Sequence, residues 1–284
     1  MTNREDELPR LPGKRGELKL RVALKEGYTV LKDAYNQVPL KIAKPFYLEP
    51  ETGELFIYQM NPAGGMVQGD NYHQEIELEA GSRVFLTTQS ATKIYRSPDS
   101  YAYQVNRFKL GEGAILEYFP DPVIPFAGSK FIGETEVHLS QGSTAFISEV
   151  VTPGRTARDE IFQFDSYHSK TKVYLNGDLI FWDNWRIVPS RQPLHSLGMY
   201  EGFTCQGNLF VFSEQVSQDL ADKLHESCTS RPEIMASASL TAKNGIALRL
   251  LGNRSVDLEK AIMVCWDIVR LDLLGLSKPR IRKY

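Results

Sequence analysis

The sequence has little of what builds disulfide frameworks, metal stores or membrane spans. Its three cysteines, Cys205, Cys228 and Cys265, are odd in number, widely spaced and free of any Cys-x-x-Cys pair. That spacing argues against a disulfide scaffold and a structural zinc site, and it predicts reduced thiols in a cytoplasmic chain. The five histidines (His73, His138, His168, His195 and His225) form neither His-x-His nor His-Glu-x-x-His, so no histidine-rich metal store is expected. No apolar run approaches the ~20 residues of a membrane span. The longest apolar-rich stretch, residues 261–274, is broken by Asp267, Arg270 and Asp272. The charged opening, Met1 to Arg10, lacks the apolar core of a secretory signal. Charge of one sign is missing too. Lys plus Arg number 33 against 35 Asp plus Glu, a net charge of −2, which points away from bulk nucleic acid or an anionic membrane as partner.

What is present is alternation. From Glu17, apolar residues recur every second position: Leu18, Leu20, Val22 and Leu24. The same period marks residues 55–58, 74–78, 83–87, 103–110, 114–118, 134–139, 144–147, 162–164 and 171–182, with glycine-centred turns between. Asn176-Gly177 and Asn244-Gly245 each sit between two such runs and predict type I′ hairpins. One form, apolar-x-Leu-x-x-Gly-small, repeats around Gly81, Gly113 and Gly142 at intervals of 32 and 29 residues. It reads either as stacked β-layers of solenoid character or as the ordinary hairpins of an all-β protein.

Two segments read as helices. Residues 213–227 place Val216, Leu220 and Leu224 on one face, with Ser213 as N-cap and Glu214 in the first turn. Residues 255–274 carry a stripe of Leu258, Ile262, Cys265 and Val269, widened by Ala261, Ile268 and Leu271, with Ser255 as cap and Gly275 as terminator. That broad face suits core packing or a partner groove. The predicted fold is therefore all-β, mainly layered, solenoid-like stacked sheets, with two C-terminal α-helices. Residues 1–16 are expected to form a mobile tail. Residues 17–284 form one domain whose composition shifts to mixed α and β near residue 205.

Motifs for chemistry are few. The glycine-rich segment Gly64-Gly-Met-Val-Gln-Gly-Asp70 lacks the Lys-Ser/Thr of a phosphate loop. It reads as a loop of special backbone angles that fixes Asp70. Ser90-Ala-Thr-Lys93 matches Ser-x-x-Lys, so a hydrolase using Ser90 and Lys93 is one alternative, although the companion motifs of that enzyme class are missing. An unrelated β-rich binding module is another. Residues 116–130 hold three prolines, three aromatics and two acids in a rigid loop. Glu149 and Asp183 lie beside apolar residues on strands. A buried acid needs a partner or water, so they suggest either an ion path or salt bridges to Arg155, Arg158 or Arg186.

Several segments together resemble the family of urease accessory protein UreD, also called UreH. They are Pro45-Phe-Tyr47, Pro62 through Asp70, Thr87 through Ser97, Leu116-Glu-Tyr-Phe-Pro120, Ile124-Pro-Phe-Ala-Gly128, Thr152-Pro-Gly-Arg155, and the close from Asp267 to Pro279-Arg-Ile281. They occur in the family's order across roughly residues 16–282. One departure is Asp159, where the family commonly carries Gly. The resemblance implies a β-rich scaffold without catalysis of its own. Such a scaffold binds apo-urease, a helical UreF-like partner and, through it, a UreG-like GTPase. It implies no resident cofactor, with nickel(II) in transit through a polar interior. By motif match, Asp70, Thr92, Glu149 and Asp183 are the candidate path residues. Oxygen ligands would hold a borderline divalent ion weakly enough to pass it on. The C-terminal helix, the basic tail from Lys278 and the proline-rich loop are the expected partner contacts.

Overall fold

The computed structural model describes residues 13–281. Two sheets lie face to face. The first has seven strands in the order β14-β13-β11-β8-β5-β1-β2. These are β1 (Arg15–Lys25), β2 (Tyr28–Gln37), β5 (Asn71–Leu78), β8 (Ala102–Leu110), β11 (Lys130–Leu139), β13 (Ser166–Leu175) and β14 (Asp178–Ile187). The second runs β16-β17-β15-β12-β9-β6-β4-β3. Its members are β3 (Lys41–Ile42), β4 (Leu55–Met60), β6 (Arg83–Thr88), β9 (Ile115–Tyr118), β12 (Thr144–Val151), β15 (Cys205–Phe212), β16 (Ile234–Leu240) and β17 (Gly245–Gly252). Two short strands, β7 (Thr92–Ile94) and β10 (Val123–Pro125), pair in parallel at its rim.

The chain shuttles between sheets. β5 turns into β6, β8 into β9 and β11 into β12, and each strand lies parallel to its counterpart in the next layer. The repeat in the sequence is this shuttle. Gly81, Gly113 and Gly142 hold φ of 70°, 63° and 67° at the three equivalent turns, angles that favour glycine. The stacked-layer reading of the repeat is thus the correct one. β1 begins at Arg15, two residues before the alternation suggests. The rest of the expected tail, residues 1–12, and residues 282–284 of the basic tail lie outside the described residues.

Two apolar layers hold the molecule together. One fills the space between the sheets, with Leu18, Ile76, Phe108, Val137 and Val173 facing Leu86, Leu116, Ala145 and Phe212. The other lies between the outer face of the second sheet and two helices, α1 (Gln218–Thr229) and α2 (Ser255–Leu274). β15 pairs antiparallel with β12, so the mixed C-terminal region extends the second sheet without a break. Among the described residues, no helix is long and apolar enough to cross a membrane.

Details correct the reading of the sequence. Residues 162–164 form no strand. Phe162 takes φ 53° and its N–H bonds the Pro153 carbonyl, so the chain reverses where alternation alone suggested extension. Asn176-Gly177 forms the expected tight turn, with φ of 50° and 93°. Asn244 adopts φ 50°, but Gly245 already belongs to β17. The Thr241 N–H reaches the Gly245 carbonyl, giving a three-residue loop with Asn in the left-handed position. α1 starts at Gln218, capped by Ser217, whose Oγ accepts from the Leu220 N–H at 3.2 Å. Ser213 instead accepts from the Gln215 N–H, and Glu214 accepts from the Gly142 N–H of a solenoid turn. α2 has the expected bounds, yet Arg254 rather than Ser255 stands at its N-cap. Its stripe is buried as core, while Leu271 is 64% exposed.

The candidate polar cavity between the sheets

Side-chain polarity changes along five strands of the first sheet, β5, β8, β11, β13 and β14. Toward the strand ends the inward residues are Ile76, Phe108, Val137 and Val173, a rung of cross-strand neighbours. One step back the rung is Gln74, Asn106, Thr135, Thr171 and Asp183, in register across five strands. Asn106 Nδ2 donates to Thr135 Oγ1 at 3.3 Å. This strip of hydroxyls and amides keeps the sheets from closing into a dry core. A cavity of about 100 Å³ lies there. Its walls include Gln104, Asn106 and Ser169 from the first sheet, and Gln59, Thr88 and Glu149 from the second. It reaches the surface beside Gly64, Gln89 and Ser90, which are exposed. Gln59 Oε1 and both amide atoms of Gln74 are buried without a protein partner. Such groups are satisfied by water where a polar cavity adjoins, and this one has room for several molecules.

Of the four residues carried by motif, Thr92 and Glu149 line this cavity. Glu149 is held by three donors: Tyr167 Oη at 2.9 Å, Ser169 Oγ at 2.8 Å and Asn208 Nδ2 at 3.5 Å. Burial raises its proton affinity above that of an ordinary carboxylate. The three hydrogen bonds oppose that rise, and the Asp183 charge adds to it.

Asp70 is placed differently. Its carboxylate accepts from the Lys14 N–H at 2.9 Å, the Val67 N–H at 3.0 Å and Tyr72 Oη at 3.0 Å. It therefore stands behind Tyr72, which lines the cavity. The glycine-rich loop that carries it docks on β7. A Cβ on Gly65 would meet the Lys93 carbonyl oxygen at 2.6 Å, so only glycine allows that approach. Asp183 sits beside the lining residue Thr171 and is paired with Arg249, Nη2 to Oδ1 at 2.6 Å. Arg249 also donates to Asn208 Oδ1 at 3.3 Å, completing a polar chain from Asp183 through Arg249 and Asn208 to Glu149. Arg155 pairs with Glu160, and Arg249 takes Asp183.

Sequence reasoning passed over Asp121, Gln59, Asn106 and the Tyr167–Ser169 pair. Asp121 lies on the cavity wall and accepts from Thr88 Oγ1 at 3.2 Å. Its sequence signal is a carboxylate fixed between Pro120 and Pro122. Ser90 and Lys93 line different cavities, so the Ser-x-x-Lys match does not assemble a nucleophile and its base. Among the described residues, no three His, Cys, Asp or Glu side chains gather as a tight metal site.

Nearly the whole chain is similar to known proteins. The model of the UreD urease accessory protein family matches residues 14–283. The urease accessory protein UreD of Acetivibrio thermocellus is 41% identical over 257 residues, covering 90% of this chain and 98% of that protein. Those of Lachnoclostridium phytofermentans and Bacillus cereus are 33% and 30% identical over 270 and 269 residues, each covering 95% of this chain and 98% of the relative. With its layered β-scaffold, helical cover and full-length match, the chain belongs to the UreD family of urease accessory proteins, helpers rather than enzymes.

Proposed function

We propose that this chain is a scaffold in urease maturation that links apo-urease to a helical UreF-like protein and, through it, to a UreG-like GTPase. In this reading nickel(II) is cargo and crosses the molecule along the polar strip between the sheets. The observation that carries it is the cavity itself: a space between the sheets whose walls include hydroxyl, amide and carboxylate groups, with Glu149 and Thr92 among them. A divalent ion is costly to place in an apolar interior. Hydroxyl, amide and water oxygens lower that cost without the affinity of His or Cys clusters. Glu149 holds its proton more tightly than an exposed carboxylate does. An arriving cation exchanges for that proton, and the returning proton helps the ion leave. Asp70 supports the wall through Tyr72, and Asp183 sets the local charge through Arg249 and Asn208. The path is one of water and weak ligands, with no resident cofactor.

The test is urease maturation in cells that co-express urease, this chain and the partner proteins. The combined variant Glu149→Gln, Thr92→Val and Asp121→Asn is expected to lower nickel per urease several-fold while co-purifying with urease and the UreF-like protein as wild type does. Full nickel loading by that variant would remove the path and leave the scaffold. Failure of the wild-type chain to co-purify with either partner would remove the scaffold.

A further inference from the structure

Two of the three cysteines meet where the helices cross. Cys228 lies one residue before the end of α1, and Cys265 lies at the middle of α2. Their sulfurs are 3.4 Å apart, closer than two unbonded sulfurs usually pack, and both are free thiols. Ser227 Oγ lies 3.5 Å from Cys265 Sγ and 3.8 Å from Cys228 Sγ. Both side chains are buried in the layer between the helices and the second sheet. Cys205 lies elsewhere, on β15.

We propose that Cys228 and Cys265 form a two-electron oxidation site, which joins α1 to α2 through a disulfide when the chain meets a hydroperoxide. A disulfide has a sulfur separation of about 2.0 Å, so the pair must close by about 1.4 Å. The end of α1 can supply that movement, because Cys228 lies in its last turn and Thr229 and Ser230 beyond it are exposed. The same opening admits the oxidant. The two thiols also differ in readiness. The hydrogen bond from Cys265 leads in drawing Cys228 down to about 7, aided by Ser227 and Arg231, while Cys265 is pushed up. Cys228 is therefore the attacking thiolate.

The chemistry balances in two steps. A sulfur lone pair of Cys228 attacks the terminal oxygen of the hydroperoxide. The O–O bond breaks, the alkoxide or hydroxide leaves and takes up a proton, and Cys228 becomes a sulfenic acid. Cys265 then attacks that sulfur. The S–S bond forms, the S–O bond breaks, and hydroxide departs with the Cys265 proton as water. Two thiols and one hydroperoxide give one disulfide, one alcohol or water, and one further water. The bond spans 37 residues of sequence and ties the helical layer together at its crossing.

The experiment treats the purified full chain with excess hydrogen peroxide under native conditions, then blocks remaining thiols and maps the peptides. Free thiols are expected to fall from three to one, with a linked Cys228–Cys265 peptide that dithiothreitol separates. The Cys205→Ser chain is expected to give the same linked peptide and no free thiol. The oxidised wild type is expected to unfold several degrees higher than the reduced form. Retention of three thiols, a link through Cys205, oxidation of the pair to sulfinic acid without a linked peptide, or a lower unfolding temperature after linkage would each overturn the proposal.

Discussion

Asp70 and Glu149 are both enclosed carboxylates, and their surroundings give them opposite tasks. Asp70 answers two backbone N–H groups and the Tyr72 hydroxyl, so it serves as a fastener where β1 and β5 begin. Asp70→Ala strands those donors. The expected loss is about 3 kcal/mol of stability, read from urea unfolding, and any loss of urease activation should follow from the reduced amount of folded chain. Glu149→Gln is different. Burial, only partly offset by its hydrogen bonds, raises the proton affinity of Glu149 above its unfolded value. The stability this group contributes is complete below the usual carboxylate range and is lost as pH rises through the folded value. The glutamine variant is therefore expected to hold its stability at neutral pH and gain on wild type as pH rises above the usual carboxylate range, while nickel delivery falls. Unfolding midpoints across that rise, taken with urease nickel content, separate the fastener from the path. The distant donor in each set was not visible in the sequence. Lys14 is 56 positions from Asp70, and Asn208 is 59 from Glu149.

At the scale of strands, alternation was a good guide because each strand has one face toward a core, and the glycine spacing revealed the layers. Polarity along the inner face was not legible. Gln74, Asn106 and Thr135 each look like ordinary polar positions until register sets them side by side. The start of α1 was misplaced for a related reason. Ser213 and Glu214 are sound capping residues, but they are already engaged with Gln215 and the Gly142 turn. Register also explains how a mainly parallel sheet keeps its outer face in solvent, where parallel sheets are usually covered. Lys19, Glu75, Arg107, Glu136 and Lys172 are cross-strand neighbours and alternate in sign across five strands. Lys109 joins Glu75 at 2.5 Å, and Arg107 joins Glu136 at 2.9 Å. Exposed pairs of this kind are worth about 0.2–1 kcal/mol each. Glu75→Lys places three cations around one site. It is expected to cost about 1 kcal/mol at low salt, with most of the loss recovered near 1 M salt as the charges are screened. Urea unfolding at the two salt concentrations checks it.

At the scale of the molecule, the two sheets and the helical layer are joined by more than apolar contact. Arg270, with no exposed surface, reaches from α2 into the solenoid and donates to Glu117 on β9 and to Glu54 just before β4. Trp266, one helical turn earlier, donates to the same Glu117 and packs against Phe85 and Phe119. The sequence showed Arg270 as an interruption of an apolar stretch, and only the fold reveals that it is the polar centre of that interface. Glu54 is held well above the usual carboxylate range, first by burial and then by the Glu117 charge, against the pull of Arg270. One cation thus faces two acids, and burial favours the protonated form of Glu54. Arg270→Met leaves that pair without its cation and is expected to cost about 3–5 kcal/mol, enough to loosen the helical layer. Glu54→Gln has the opposite sign. A raised folded value means that the wild-type contribution is complete below pH ~4.5 and fades as pH climbs through the folded value. The advantage of Glu54→Gln over wild type is therefore expected to grow as pH rises above the usual carboxylate range. Urea midpoints of the two chains measured side by side decide this: a difference that stays flat, or that shrinks with rising pH, would mean Glu54 is ionised beneath α2 and that Arg270 neutralises both acids together.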